Sequence, residues 1–267
     1  MKKNWYRIEA STGSIPEILI YGDIADYNID SATFRRDLFA IKAPEVNVRI
    51  NSRGGGVFEG IAIHNALRDH PAKITAYIDS LAASIAAYIA MGADIRVMAK
   101  ASRMMIHEAQ GVVGGTAKDL RDTADLLDDA NSMQIDAFST ATSLGRSVVK
   151  EMLAVETWLT PEQAKKLGFI DVIEGENEQG SRAQFDLSPF KNVPKEVSAA
   201  FGKTPTERDV EQLLRDAGVS RKDAMTAVAA IKGEGQRDSD EAETLAEHLL
   251  AKIETDNLIS KIKGVKN

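Results

Sequence analysis

Short runs of β-branched residues alternate with helical patterns along the first hundred residues of the chain. The strand-like runs are Glu17–Tyr21, Val46–Ile50, Ile74–Ile78 and Asp94–Met98. Between them, Ser31–Ile41 and Phe58–Arg68 repeat apolar residues at helical spacing, and Ser31 is the predicted cap of the first helix. Because alternating strands and helices fold into a parallel sheet with crossover helices, the pattern predicts an α/β fold.

A longer helical pattern begins near residue 116. Thr116 and Asp119 have the spacing of a capping box, and Leu120, Leu127 and Phe138 lie on one face of the helix that follows. Such a helix, projecting from an α/β core, packs its apolar stripe either on a partner surface or on its own core. The sequence leaves both arrangements open.

The composition changes after the α/β region. Residues 176–204 are rich in Glu, Asn, Gln, Ser and Pro, which is typical of an irregular linker. Beyond it, capping boxes at Thr206 and Ser220 outline a helical pair, and a third helical pattern follows. We therefore predict three parts: a core domain over 1–175, a linker over 176–204 and a helical appendage over 205–267.

Charge and cysteine content exclude several classes of protein. The formal net charge of −7 at pH 7 argues against binding to nucleic acid through its phosphates. The chain has no cysteine, so disulfides, thiolate metal sites and a cysteine nucleophile are excluded. The most apolar stretch, Leu81–Met91, is too short to span a bilayer, and no signal-peptide pattern is visible. We expect a cytoplasmic protein without membrane contact.

Three short motifs carry groups capable of catalysis. In INSRGGG (residues 50–56), a strand runs into three glycines, which allow backbone N–H groups to converge on an oxyanion. In LAASIAA (81–87), Ser84 stands among small residues at a helix start. In RMMIH (103–107), His107 ends an apolar run, and histidine is the natural base near neutral pH. Each motif alone has an ordinary structural explanation: a turn, a packing helix and a strand-end histidine.

Taken in order, these motifs resemble the ClpP family of serine proteases, and more closely its bacteriophage branch, the head maturation (prohead) proteases. The resemblance rests on INSRGGGVFEG (50–60), SLAASIAAYIAMGAD (80–94), MMIHEA (104–109) and ETWLTPEQAKKLGFIDVI (156–173). It covers roughly residues 15–175. It implies a ClpP/crotonase-like fold of stacked β-α-β units with a projecting long helix.

The resemblance also implies a catalytic triad. Ser84 matches the nucleophile, His107 the general base and Glu156 the third member. The family has an aspartate at the third position, one methylene shorter than Glu156, and Asp171 is the alternative acid, with a structural loop aspartate as its simpler interpretation. Arg53 stands where the family usually has proline after Asn-Ser.

Further roles follow from the same resemblance. The backbone N–H groups of Gly55 and Ile85 would form the oxyanion hole. An extended peptide would be held by strand addition along two backbone edges. The residues implied in those edges are Gly56, Val57, Gln110, Gly111 and Val112.

The predicted protein is thus a serine endopeptidase that needs no metal or nucleotide in this chain. The resemblance implies capsid or scaffold precursors as substrates, a homo-oligomeric ring (heptamer or tetradecamer), and the host cytoplasm or the prohead interior as its location. A catalytically inactive assembly scaffold and a crotonase-type acyl-CoA enzyme, which uses carboxylates instead of a Ser–His pair, are the alternatives. In the tail, residues 207–232 resemble an element of phage relatives, and their balanced charges disfavour a DNA-binding helix-turn-helix.

Overall fold

The structure, a computed structural model, describes residues 5–9, 14–24, 30–175 and 185–202, together with Glu211, Arg215, Ser220, Arg221 and Met225. The chain divides into two compact units, Met1–Phe201 and Gly202–Asn267. In the second unit, Glu211 and Arg221 are helical and form an ion pair at 3.3 Å. The three helices predicted for the appendage otherwise lie outside the described residues.

Within the described ranges, the first unit contains eight strands and seven helices. The strands are β1 (Tyr6–Glu9), β2 (Glu17–Tyr21), β3 (Glu45–Ser52), β4 (Lys73–Ala83), β5 (Ile95–Ala99), β6 (Arg103–Ile106), β7 (Thr157–Leu159) and β8 (Val172–Glu174). The helices are α1 (Ser31–Ala40), α2 (Val57–Arg68), α3 (Ile85–Ala90), α4 (Ala117–Thr142), α5 (Arg146–Ala154), α6 (Pro161–Leu167) and α7 (Lys195–Phe201). The predicted α/β fold is confirmed.

The strands form one sheet in which most neighbours run parallel. The main path is β1-β2-β3-β4-β5-β8, and β6 and β7 attach beside the end of β4. Only the β1–β2 and β6–β7 pairs are antiparallel among the described strands. The first half of β4 pairs with β5, and its last residues, Leu81 to Ala83, pair with Arg103 to Met105 of β6. Because β4 and β6 are parallel and paired there, the residues that follow them emerge side by side.

One helix boundary differs from its prediction. Ser31 is the first residue of α1 and not its cap, so that prediction was wrong. Asp30 is the cap, because its carboxylate accepts a hydrogen bond from Thr33 N at 2.8 Å. At α4 the prediction is confirmed: Thr116 and Asp119 form a reciprocal capping box.

The long helix α4 leaves the core at its N-terminal end. Its first buried residue is Ala130, and Ile135 and Phe138 are buried further along. Leu120, Leu126 and Met133 each expose nearly half of their surface. The helix is therefore anchored by its second half only. No helix in the described part of the chain has both the length and the apolar character needed to cross a membrane.

The predicted linker differs from the structure in its second half. Residues 185–201, which we call the strap, belong to the first compact unit and end in α7. The buried apolar residues of the strap and of the strands beneath it are Phe185, Leu187, Phe190 and Val197 with Leu81, Ala83 and Met105. The sequence pattern missed this packing because the strap's few apolar residues follow neither a helical nor a strand period. Residues 176–184 lie outside the described residues.

Candidate active site

Ser84 lies at the junction of β4 and α3, where the backbone adopts an unusual conformation. Its φ of 57° and ψ of −129° fall in a region that residues with a side chain rarely occupy. The surrounding structure imposes this geometry: Ser84 N donates to Met105 O of β6 at 2.9 Å, and every residue of α3 is buried. The tight turn presents the hydroxyl to a cavity instead of the core.

The glycine turn after β3 lies directly against the serine. Gly54 has φ +106°, and a Cβ there would lie 2.8 Å from the Cβ of Ser84. Gly55 has φ +150°, and a Cβ there would overlap the carbonyl oxygen of Ile24. Only glycine fits at either position. Among the described residues, no hydrogen bond uses the N–H of Gly55 or of Ile85, the two predicted oxyanion donors.

His107 follows β6 and faces the serine. Its Nε2 lies 2.7 Å from Ser84 Oγ. The loop beyond it is fixed by two contacts, from Glu108 N to Leu153 O at 3.3 Å and from Ala109 N to Asn131 Oδ1 of α4 at 2.7 Å. A base in this position must be neutral to accept a proton from serine.

The surroundings of the imidazole favour its neutral form. The side chain is only 7% exposed, and burial lowers the pKa of His107. The negative charge of Glu156 acts in the opposite direction, and the positive charge of Lys191 again lowers the pKa. The net result is a pKa below the usual histidine value. At neutral pH the ring is therefore unprotonated and able to act as a base.

Glu156 lies beside His107 but does not form a hydrogen bond with it. Ile106 pairs with Thr157 in the β6–β7 ladder, and Glu156, the residue before Thr157, has a left-handed backbone with φ 54°. Glu156 Oε1 accepts from Asn192 N at 2.7 Å and from Trp158 Nε1 at 3.2 Å, and Oε2 accepts from Lys191 N at 2.8 Å. His107 Nδ1 is buried and has no hydrogen-bond partner within the described residues.

Asp171, the alternative acid, is held in an ion pair elsewhere in the sheet. Its carboxylate accepts from Arg96 Nε and Nη2, both at 3.1 Å, and from Arg96 N at 2.8 Å. Although partial burial alone raises the pKa of Asp171, these hydrogen bonds and the arginine charge hold it below the usual value. Asp171 lies between α6 and β8, outside both elements. Its contacts are structural.

A cavity of about 250 Å³ opens beside the serine. Ser84, His107, Val57 and Gln110 all line it. Gly55 and Ile85 line it as well, so the structure brings together six of the predicted site residues. The turn residue Gly54 lies next to Gly55 in the same lining.

The remaining predicted substrate-binding residues lie differently. Gly56 N donates to Ile24 O at 3.0 Å and Gly56 O accepts from Gly60 N at 3.0 Å, so both backbone groups of Gly56 are occupied within the fold. Gly111 and Val112 are exposed and lie outside the cavity lining. Of the predicted substrate-binding residues, Gly56 is therefore the least able to pair with a peptide backbone.

Sequence reasoning missed several residues of the site. Gln134 of α4 and Pro189 and Phe190 of the strap line the cavity, and Asn131 of α4 supports the loop after His107. Asn131 and Gln134 had a detectable signal, because they are polar positions beside the apolar stripe of an amphipathic helix. The strap residues had none.

Comparison with known proteins adds three findings. A family model described as Clp protease matches residues 5–177. The ATP-dependent Clp protease proteolytic subunit 1 of Chlamydia abortus is 30% identical over 128 residues, covering 46% of this chain and 67% of the relative. Subunit 2 of Corynebacterium diphtheriae is 29% identical over 133 residues, covering 49% of this chain and 67% of the relative.

A solved structure has the same fold. A mutant of ClpP1 from Listeria monocytogenes superposes with a TM-score of 0.54 at 20% identity, covering 61% of this chain and 92% of that one. The sequence matches span about two thirds of the length of each relative. The strap begins at residue 185, beyond the last residue that the family model matches.

Proposed function

The chain belongs to the Clp protease family, and we propose that it acts as a serine endopeptidase with Ser84 as nucleophile and His107 as general base. The observation that carries the proposal is the 2.7 Å contact between His107 Nε2 and Ser84 Oγ. A hydroxyl within hydrogen-bond reach of a neutral imidazole is the arrangement that activates serine. The cavity beside the pair offers space for a substrate side chain.

The reaction would proceed through an acyl-enzyme. Ser84 Oγ attacks the peptide carbonyl carbon while His107 Nε2 takes the hydroxyl proton, and the carbonyl oxygen becomes an oxyanion. The unused N–H groups of Gly55 and Ile85 are the proposed donors to that oxyanion. His107 then passes its proton to the leaving amine, and a water molecule, deprotonated by the same ring, hydrolyses the ester.

Labelling with a serine-directed fluorophosphonate tests this assignment on the full-length protein. We expect a covalent adduct on Ser84, found by peptide mass spectrometry, which Ser84→Ala abolishes and His107→Ala slows by at least about 100-fold. An adduct on another residue would overturn the assignment of the nucleophile. No adduct at all would favour the inactive scaffold, and acyl-CoA binding without an adduct would favour the crotonase-type alternative.

We propose that the protein works as a homo-oligomeric ring. The relatives are named as proteolytic subunits, and the exposed apolar residues of α4 offer a surface for a second copy. Native mass spectrometry should reveal a heptamer or a tetradecamer. Leu126→Asp on α4 should shift it toward smaller species, whereas Val172→Asp, an equally exposed position on β8, should not. A monomeric wild type would contradict the ring.

We further propose that the substrates are capsid or scaffold precursors. The support is the resemblance of residues 50–60 and 207–232 to phage relatives. Incubation of a capsid precursor with wild-type protein should release defined fragments that the Ser84→Ala protein does not release. Cleavage of an unfolded general substrate such as casein, with the capsid precursor left intact, would assign the enzyme to general proteolysis instead.

A further inference from the structure

The strap packs on the two strands that carry the proposed nucleophile and base. Leu81 and Ala83 lie at the end of β4 just before Ser84, and Met105 lies on β6 two residues before His107. The apolar side chains of the strap are buried against them. A hydrogen bond from Phe185 N to Phe201 O, at 2.7 Å, closes the strap into a loop. This segment follows the region shared with the family.

The strap also touches the groups of the site itself. The ring of Phe190 stands edge-on to His107, with centroids 5.6 Å apart and planes at 82°. Pro189 and Phe190 line the cavity. At the glycine turn, Arg53 Nη1 donates to Asp186 O at 3.0 Å. The strap therefore contacts the cavity, the base and the turn together.

The most specific contact is with the carboxylate of Glu156. Two consecutive backbone N–H groups of the strap, from Lys191 and Asn192, donate one to each carboxylate oxygen. The Asn192 side chain adds a hydrogen bond from Nδ2 to Val155 O at 3.0 Å. A carboxylate held by two adjacent N–H groups has its orientation fixed by them.

On the side opposite Ser84, His107 lacks the carboxylate acceptor that a catalytic triad provides, as far as the described residues show. His107 Nδ1 is buried without a hydrogen-bond partner among the described residues, although Glu156 directly precedes Thr157, the residue that pairs with Ile106. Glu156 is close enough for its negative charge to act on the pKa of His107. The carboxylate instead accepts hydrogen bonds from Lys191 N and Asn192 N of the strap and from Trp158 Nε1 of β7.

We propose that the strap is an autoinhibitory latch: while seated it keeps Glu156 turned toward Lys191 and Asn192, and on release Glu156 accepts a hydrogen bond from His107 Nδ1–H. That hydrogen bond selects the tautomer with a free Nε2 and stabilises the imidazolium formed when Ser84 reacts. Glu156 is a positioning residue in this scheme, because it acts through His107. The inference rests on the proposed function, since it concerns the same Ser84–His107 pair.

The strap is suited to opening because its attachment is local. It is held by four buried apolar side chains, one of them on the seven-residue helix α7, and by a few hydrogen bonds to Arg53, Val155 and Glu156, and none of its residues belongs to a strand of the sheet. Segments with few buried contacts open at lower free energy than the whole fold. Opening also withdraws Pro189 and Phe190 from the cavity, which widens the entry for a peptide.

Two variants release the latch by different means. Val197→Asp places a charge in the apolar cluster, on α7 and outside the cavity lining, and Val148→Asp makes the same change at an exposed position on α5 as the control. Asn192→Pro removes one of the two N–H donors without adding a charge. Each is combined with Glu156→Gln in the full-length protein, and circular dichroism confirms folding.

The first readout is the rate of Ser84 labelling by the fluorophosphonate. We expect Val197→Asp and Asn192→Pro to label about tenfold faster than wild type, and Val148→Asp to match wild type. Glu156→Gln should slow labelling at least about tenfold in the released variants and less than about threefold in the latched wild type. Equal effects of Glu156→Gln in both backgrounds, or slower labelling after release, would overturn the latch.

The second readout is the NMR titration of His107, which does not depend on activity. An ionised carboxylate hydrogen-bonded to the ring raises its pKa. The pKa of His107 should therefore rise in Val197→Asp and fall back when Glu156→Gln is added. An unchanged pKa would overturn the latch even if the enzyme is active. If the pKa of His107 shifts as expected but no variant is labelled, the latch is supported and the proposal of protease activity is rejected.

Discussion

The two sides of His107 are built in different ways. On the Nε2 side, Ser84 and the glycine turn are held by paired strands of the buried sheet, and the contact to Ser84 Oγ is complete at 2.7 Å. On the Nδ1 side, Glu156 lies just before the short strand β7, at a φ of 54°, and its carboxylate is bound by the strap.

This difference separates contacts made within the sheet from contacts made by the strap, which follows it in the chain. The side of the proposed nucleophile, Ser84, depends on sterics and backbone pairing inside the core, which leave one arrangement. The acid side depends on which of several nearby donors the carboxylate binds, and such hydrogen bonds differ little in free energy. Reactivity is therefore more easily adjusted on the acid side than on the nucleophile side.

The largest effect should come from removing the base. We expect His107→Ala to lower kcat for a fluorogenic peptide by about 10⁴-fold or more while the protein stays folded. The matched control is His64→Ala, another buried histidine, whose ring lies tilted against Tyr88 with centroids 4.6 Å apart and which lies outside the cavity lining. It should lower the free energy of unfolding by about 1–3 kcal/mol and leave kcat nearly unchanged. Comparable losses of kcat in both variants would remove His107 from the mechanism.

A smaller but still large effect should follow from Gly54→Ala. Its new Cβ would lie 2.8 Å from Ser84 Cβ and displace the nucleophile, so we expect kcat/KM to fall about 100-fold. Gly22→Ala is the control, because Gly22 also has a positive φ, +123°, but open space around its Cβ. Gly22→Ala should lose about 1 kcal/mol of stability in urea unfolding from backbone strain, and Gly54→Ala should lose more, because its Cβ would also meet Ala83 O at 2.9 Å. Equal activity of the two variants would mean that Gly54 is needed only for the backbone conformation of the turn and not for the position of Ser84.

The pH dependence of kcat/KM tests the surroundings of the His107 ring. Since the pKa of His107 is lowered by burial, the acidic limb of kcat/KM should lie below the ordinary histidine value of about 6.5. Lys191→Met removes a charge that lowers this pKa and should move the limb to higher pH, whereas Lys118→Met, on the exposed start of α4, should not. A limb above the ordinary value in wild type would contradict the buried, neutral base.

The same shift affects stability. The unfolded chain binds a proton on His107 more readily than the folded one, so the free energy of unfolding should fall as pH drops through about 6.5. Burial also lowers the pKa of His64 and His70, which add to this fall. Urea unfolding at several pH values measures it, and His107→Ala should reduce the slope only in part.

The smallest effect on activity should come from Asp171→Asn. Its carboxylate binds Arg96 away from the cavity, so kcat should stay within about twofold of wild type while stability falls by about 1 kcal/mol. Thermal unfolding and peptide hydrolysis measure the two quantities. A loss of kcat with unchanged stability would make Asp171, and not Glu156, the third residue of the triad.

Much of the nucleophile side was predictable from short stretches of sequence. The β-branched runs predicted four of the strands, and the glycines of residues 54–56 predicted a tight turn, because glycine has few other uses at that spacing. Ser84 and His107 were ambiguous as single residues and became candidates only through their order behind that turn. What no local pattern predicted was the pairing of the end of β4 with β6, which brings them together.

The acid side shows what the sequence alone determined and what required the tertiary structure. The chain itself determined the α/β fold, the glycine turn and the residue types available to the site, because hydrophobic period and backbone sterics act over a few residues. Tertiary packing alone decided that Asp171 binds Arg96, that the strap covers the site, and that Glu156 meets Lys191 and Asn192 instead of His107. These contacts join residues about 35 to 75 positions apart, and no local pattern encodes which acceptor a distant donor will reach.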